Sequence, residues 1–554
     1  MKAGAVEYEF LPHEQPLMAG SPATPAHPQR RAVAYVLIGT LLSITAGLSN
    51  GLLLANLPQI QGALGLTSME GAWLVTAYAV GNASMAMLVM KLRQQLGMQR
   101  TSRFFLLGFV ALAGLQLLSY SYGSELALRA VGGMIAAGFG PLGMFYVMQG
   151  LPAKLRISGI VIYIGLTQVA LPLARWISPA LLFNGEIQNL YAFEFGLALI
   201  SLGSVAVLRL PPGIIDEVFE RLDFVTFGLL TAGLTLLCTV LAQGRIVWWT
   251  TEWLGYAMAG AVLFTGTALL IEHYRASPLL NTRWLGTGDI LRIVIAATTM
   301  RVLLSEQAFG ATGLMAAVGM GTDQLVAYHG VLAACTLAGV LASLVLLKNG
   351  DLQRPIVIAV AIIAVAAFAD STASNLTRPA NLFLTQGAIA FAAALFLGPT
   401  LLTGLVHAIA KGPAHLVTFS AIFSISQTIG GLLGTASLGT YQILRQRVHY
   451  QDLVNSIVLT EPQVALRVQQ LGGAYAKVVT DPVQRQALGV RLLGQQLTRE
   501  SNIAAFNDVF FLIGVLATMA LVLIGGSWLR NKVRGIDPLA EPMAAIQKLI
   551  AGKK

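Results

Sequence analysis

Apolar runs about as long as a bilayer crossing alternate with short polar turns along almost the whole of this 554-residue chain. Fourteen runs meet the length requirement, near 32–56, 71–90, 104–122, 126–148, 158–182, 191–208, 224–243, 254–272, 290–312, 326–347, 355–370, 380–402, 417–441 and 505–529. The eleventh is the shortest. The pattern predicts an all-α integral membrane protein whose core is a bundle of about fourteen spanning helices.

Charges inside these runs change the picture. Arg129 sits one turn inside the fourth run and Arg175 is embedded in the fifth. A guanidinium cannot be neutralised by losing its proton, so it must face protein partners or water. Two neighbouring spans that each keep an arginine predict a polar cavity between helices. Arg301 also falls within a span, and Glu194 and Glu306 are the internal carboxylates. Glu194 is the expected partner of Arg175, because spans 5 and 6 are consecutive; such a pair is either a static brace or part of a working site. Arg292 and Glu272 lie near span ends, where snorkelling explains them. Asp370, at the outer end of the eleventh span, reads as solvated. Asn50, Tyr78, Asn82, Gln168, Gln386 and Gln427 add polar groups, about half expected to line the cavity and the rest to bond helix to helix.

Composition agrees with a membrane protein: mean hydropathy is +0.71 and only 11% of residues are charged. Both cysteines, Cys238 and Cys335, lie within apolar runs, which excludes a disulfide framework in the loops. The formal charge of +10 comes from basic residues scattered among short loops, which reports orientation and not nucleic-acid binding. The basic loops 91–103, 152–156, 273–283 and 348–354 and the carboxyl tail fall on one side; Arg245 and Arg378 are the exceptions in the opposite short loops. Both termini are therefore expected in the cytoplasm, in a bacterial inner membrane. Residues 1–31 have no apolar signal-peptide core and read as a disordered cytoplasmic tail. The connection 442–504 is far longer than the others. Apolar residues recur in it at helical spacing and Pro462 and Pro482 mark helix starts, so two or three amphipathic helices are expected on the outer face, as a solvated cap or as a docking surface.

No chemistry of bond making is legible. There is no phosphate-binding loop, zinc-protease helix, nucleophile elbow or metal-spaced Cys/His cluster, so the chain is read as a non-enzyme without a cofactor or metal. Isolated His329, His407 and His415 are ordinary structural histidines. Any transport must draw on an ion or substrate gradient.

A faint internal repeat is present: GGMIAAGFGPL in the fourth span and QGAIAFAAALFLGPTLL in the twelfth each begin near a glycine and meet a Gly-Pro pair, at Pro141 and Pro399. A displacement of eight spans fits two six-helix units with two helices between them. LRAVGGMIAAG around Arg129, LDFVTFGLLTAGL at 222–234, EHYRASPLLNTRWL at 272–285, QTIGGLLGTA at 427–436 and AFNDVFFL at 505–512 together resemble the fourteen-span drug/proton antiporter branch of the major facilitator superfamily, the EmrB/QacA-like exporters. The resemblance runs from the first span to the last. It implies a 6+2+6 arrangement: an N-terminal half over 32–208, an inserted pair over 209–272, a C-terminal half over 273–529 with the outer loop 442–504, and a tail over 530–554. It also implies alternating access and, through the outer loop, a periplasmic adaptor with an outer-membrane channel. Several motifs depart from the family: Ser49 stands where the first span usually has an acidic residue, loop 2–3 reads MKLRQQLGM, Arg175 and Trp176 replace the Gly-Pro pair of span 5, and Gly132 replaces the fourth-span glutamine.

With arginines outnumbering internal carboxylates, the cavity is expected to be net positive and the cargo an amphipathic small-molecule anion; outward movement and proton coupling are what the resemblance implies. The alternatives are import of a carboxylated solute, since fold does not fix direction, and a transporter-like sensor or scaffold that moves nothing.

Overall fold

The computed structural model describes residues 14–16, 19–119, 121–152, 155–182, 185–347, 351–458 and 460–551. Fourteen long helices carry the fold: α1 Gln29–Ala55, α2 Ser68–Leu96, α3 Met98–Gln116, α4 Tyr122–Gly150, α5 Ser158–Leu181, α6 Gln188–Val207, α7 Arg221–Val247, α8 Glu252–Tyr274, α9 Gly288–Ser305, α10 Val326–Leu347, α11 Gln353–Asp370, α12 Phe383–Lys411, α13 Pro413–Asn455 and α14 Pro482–Val533. The ninth does not stop at Ser305. It passes through a π-helical turn, Glu306–Ala311, and resumes as Thr312–Ala317. Among the described residues twelve helices are long and apolar enough to cross a membrane. The interrupted ninth and α3, which carries Arg100 and Arg103 near its start, complete the fourteen.

Local chemistry sets several boundaries. Thr67 and Glu70 form a reciprocal capping box at the start of α2, Ser121 caps α4, and Asp481 caps α14 with Pro482 in its first turn. The basic stretch 91–103 differs from expectation: it is helical on both sides of Gly97, whose φ of +77° makes the whole turn. Parts of the basic stretches at 152–156 and 348–354 lie outside the described residues, as do 1–13, 17–18 and 552–554 of the tails.

Packing is close because small residues face neighbouring backbones. A Cβ on Gly133 of α4 would stand 2.0 Å from the carbonyl oxygen of Tyr78 on α2. α1 packs on α4 and α5, and α6 packs on α3 and α1. On the other side α10 packs on α12, and α11 packs on α12 and α14. The two sets meet where α2 touches α13 and where α5 lies against α10 and α12. α7 and α8 pair with each other; α7 rests on α2 and α13, while α8 buries little beyond Leu254, Ala261, Ala268 and Glu272.

Two expectations change at the ends. The stretch read as a disordered tail is held down from residue 19 onward: Gly20 N donates to Ile214 O (3.0 Å), Ala23 N to Pro212 O (2.9 Å), and Gln149 Nε2 of α4 to Ala23 O (2.6 Å). The backbone of the linker after α6 supplies partners that composition alone does not reveal. The connection over 442–504 is helical, but its helices are not separate bodies lying on the surface. α13 runs on to Asn455 and α14 starts at Pro482, with one short helix, Pro462–Gly473, packed on α14 through Val468. At 1.5 Å per residue the 52 residues of α14 extend about 78 Å, well over twice a hydrocarbon core.

Candidate functional site

Two polar clusters sit inside the bundle. The first is built from α1, α2, α4 and α6. Glu125 and Arg129 lie one turn apart on α4, so their side chains share a face, and Arg129 Nε donates to Glu125 Oε1 at 2.7 Å. Both are almost fully buried. Tyr191 of α6 donates its hydroxyl to the same Glu125 oxygen (3.2 Å), and its ring lies under the guanidinium, 5.7 Å from centroid to Cζ. One turn on from Tyr191, buried Glu194 faces Arg129 as well, with Ser49 of α1 beside it and Tyr78 of α2 beside Ser49. Ser49, where the resembled exporters carry a first-span acid, thus stands beside the Glu194 carboxylate of α6.

Glu194 therefore partners Arg129 and not Arg175. The reason is packing: α6 lies on α1 and α3, and the consecutive helices α5 and α6 touch only slightly. Arg175 reaches the other way, out of the first set of helices, and donates through Nη1 to Thr312 Oγ1 just past the π turn (2.9 Å).

The second cluster surrounds that π turn. Glu306, its first residue, is fully buried. Gln386 of α12 donates from Nε2 to Glu306 Oε1 (2.6 Å) and to Asp370 Oδ2 of α11 (2.7 Å). Tyr328 of α10 donates to Gln386 Oε1 (3.4 Å), while the two carboxylate acceptors fix the amide's nitrogen end on their side. Gln307, next in the turn, bonds the backbone carbonyl of Gln386 (3.1 Å), and Thr312 donates to the backbone carbonyl of Gln307 (3.2 Å). Asp370, expected in water, is 4% exposed. Its place near a helix end is covered by α12, and position along a span does not report that. Asp370, Gln386 and Tyr328 belong to this site although sequence reasoning gave the first no role and passed over the third. The available signal was a carboxylate, an amide and a tyrosine at similar depth in three consecutive spans.

Among the remaining cations, Arg301 lies along Gly430 and Gly431 of α13, with Nε buried and unpartnered. The glycines of QTIGGLLGTA make that approach possible, and Gln427 Nε2 reaches Ala297 O at the same contact (3.5 Å). Arg245, expected in an outer loop, is instead in the last turn of α7, with its guanidinium 5.3 Å above the Phe309 ring of the π turn. Asn82 bonds Gly133 O (3.3 Å) and so joins α2 to α4. Asn50 and Gln168 are half-buried on α1 and α5, apart from both clusters' bonds.

A third network closes the opposite ends of α2, α7 and α8. Arg275 bonds Glu272 (2.7 Å), Glu220 (2.9 Å) and Asp223 (3.0 Å), and Asp223 also accepts from Lys91 (2.7 Å). Glu272 is thus a buried ion-pair partner and not a snorkelling group, whereas Arg292 is exposed beside Asp289 as expected. The Ser277 hydroxyl and the Arg275 guanidinium hold the Glu220 carboxyl below its ordinary range.

No family model matches the chain. It is 22% identical over 496 residues to the multidrug export protein EmrB of Escherichia coli, covering 85% of this chain and 90% of that protein. Solved structures with the same fold include the proton:xylose symporter XylE (TM-score 0.54, 10% identity, 90% of this chain and 96% of that one). The human organic anion transporter MFSD10 (0.51, 15%, 90% and 100%) and a bacterial homologue of the human drug peptide transporters (0.51, 12%, 91% and 99%) share it too. The relatives are transporters and not enzymes, and the chain is an integral membrane protein. Its fold is that of the major facilitator transporters, and its sequence is similar to that of a multidrug export protein.

Proposed function

We propose that this protein exports amphipathic organic anions across the bacterial inner membrane by alternating access of two six-helix halves, over 32–208 and 273–529, with proton coupling and both termini in the cytoplasm. The observation that carries this reading is the state of its interior arginines. Arg129 has Glu125 and Glu194, but Arg175 and Arg301 have no carboxylate partner among the described residues. Arg175 is held only by a neutral hydroxyl at the contact between α5 and α9, where the two halves meet. A guanidinium placed this way has spare donors for a carboxylate or sulfonate.

The test is flux of salicylate, an aromatic carboxylate, in liposomes containing the purified protein. Arg175→Ala and Arg301→Ala should each lower it at least about tenfold, the worth of one charge-assisted hydrogen bond. Lipophilic-cation transport that survives Arg175→Ala, with no salicylate flux in the parent, would overturn the reading.

The outer hairpin supports a partner. Leu466, Val478, Val483 and Val490 expose apolar side chains on an extension that projects beyond the spans, and EmrB is itself an export protein. A periplasmic adaptor leading to an outer-membrane channel is the proposed occupant. Deleting 450–498 should then abolish export from cells while flux in liposomes persists.

A further inference from the structure

Glu306, Asp370 and Gln386 form a buried constellation that an anion-binding role does not explain. All three side chains are out of water, at 0%, 4% and 0% exposure. Bonds of 2.6 and 2.7 Å to one amide nitrogen place the two carboxylate oxygens at most about 5.3 Å apart. A primary amide has two N–H groups, and each is spent on one carboxylate. No Lys, Arg or His stands within ion-pair distance of either acid among the described residues. Two carboxylates at this separation in a dry interior, with only a neutral bridge, do not both stay ionised; one keeps a proton.

A second observation points to a ligand at the same place. Glu306 Oε2 is buried and has no hydrogen-bond partner, and neither has Nδ1 of His329, which lies against Tyr328 with ring centroids 5.0 Å apart. The π turn that begins at Glu306 is itself unusual. π turns interrupt the helical hydrogen-bond ladder and are frequent where a protein binds or moves something.

We propose that the Glu306–Asp370 pair, clamped by Gln386, is a proton-binding site that loads and releases one proton in each transport cycle. The O–H bond forms on one carboxylate from water on one side of the membrane, and breaks when the halves have rocked and the site opens to the other side. The pair takes over the task that the family gives to the first-span acid, where this chain has Ser49.

A continuous set of bonds ties this site to the proposed anion site. Arg175 donates to Thr312, Thr312 to the carbonyl of Gln307, Gln307 to the carbonyl of Gln386, and Gln386 to the two acids. Its first link crosses from α5 to α9, so relative motion of the halves must stretch or break it. The other groups facing the pair are Tyr328 from α10 and Thr385 from α12; Arg175 of α5 and His329 of α10 stand beyond them, next to Tyr328. Phe506 and Phe510 from α14 pack on the π turn, with Arg245 of α7 over Phe309.

The inference rests on the proposed export only in its flux arm. Infrared difference spectra of the full chain in lipid discs, between acidic and alkaline buffer, should show a protonated-carboxyl band. That band should be lost in Asp370→Asn and in Glu306→Gln and retained in Glu194→Gln. In liposomes, gradient-driven salicylate uptake should fall more than tenfold in Asp370→Asn while salicylate exchange at equal pH persists. A band indifferent to both substitutions overturns the proton site, even if salicylate flux is intact. A band that follows the substitutions with no salicylate flux in the parent supports the proton site and rejects the anion as cargo. If one variant fails to fold, the other gives the same reading.

Discussion

The two interior clusters solve the problem of buried carboxylates in opposite ways. Around Arg129, two acids from α4 and α6 share a guanidinium, with Tyr191 stacked beneath it. Around Glu306, two acids from α9 and α11 share a neutral amide. The first arrangement places a fixed positive charge between negative ones and loses stability if any member goes. The second has no counter-charge, so charge there is adjusted by binding or releasing a proton. The difference teaches that a count of charges per span says little about function. What matters is whether each acid faces a cation or another acid.

The largest expected effect sharpens that contrast. Arg129→Ala strands Glu125 and Glu194 in a dry interior, and breaking a buried pair from one side costs about 3–5 kcal/mol. Its thermal unfolding temperature in detergent should fall sharply, with poor recovery of folded protein. An unfolding temperature equal to that of the parent would mean that water reaches this cluster and that the comparison is misdrawn. Thr312→Val comes next. It removes one hydrogen bond from a charged donor, so about 1.5–3 kcal/mol of the Arg175 anchorage is at stake. Salicylate uptake should lose its steep dependence on the pH gradient before it loses binding.

Glu306→Gln should disturb stability least among the buried changes. It breaks no ion pair, and a neutral amide replaces a site that is already shared with one proton, so unfolding should shift by less than about 1 kcal/mol, in either direction. A loss as large as that of Arg129→Ala would show that Glu306 is a fixed anion after all. The smallest effect belongs to the exposed end of the third network. Glu220 has a folded-state carboxyl held below its ordinary range. Its stabilising contribution is therefore present above the unfolded value and is lost as pH falls through the folded one. Because this carboxylate is open to solvent, acidification should only loosen the contact, seen as faster amide exchange near Arg275 with the bundle otherwise intact.

Much of this was legible along the chain. Fourteen long helices, the interior positions of Arg129, Arg175, Arg301, Glu194 and Glu306, and the helical connection over 442–504 follow from run length, from apolar spacing and from the cost of charge in lipid. Pairings were not legible. Glu194 faces Arg129 because α6 packs on α1 and α3, and Arg175 faces Thr312 because α5 lies at the seam between the halves. Asp370 near a helix end looks the same in sequence whether water or α12 covers it. Nor does EQAFGA announce a π turn, since one wider turn needs no special residue, only neighbours that hold it.

The chain by itself determined which segments are apolar and long enough to be helices of a membrane bundle, and that several charges must live indoors, because transfer into hydrocarbon depends on composition over about twenty residues and on little else. Which charge meets which was decided only by tertiary structure. Electrostatic pairing acts over a few ångströms between side chains far apart in sequence, and the rotation of each helix in the bundle sets those distances. The same composition could have buried two stable ion pairs. This packing instead builds one ion-paired cluster and one pair of acids with nothing positive between them.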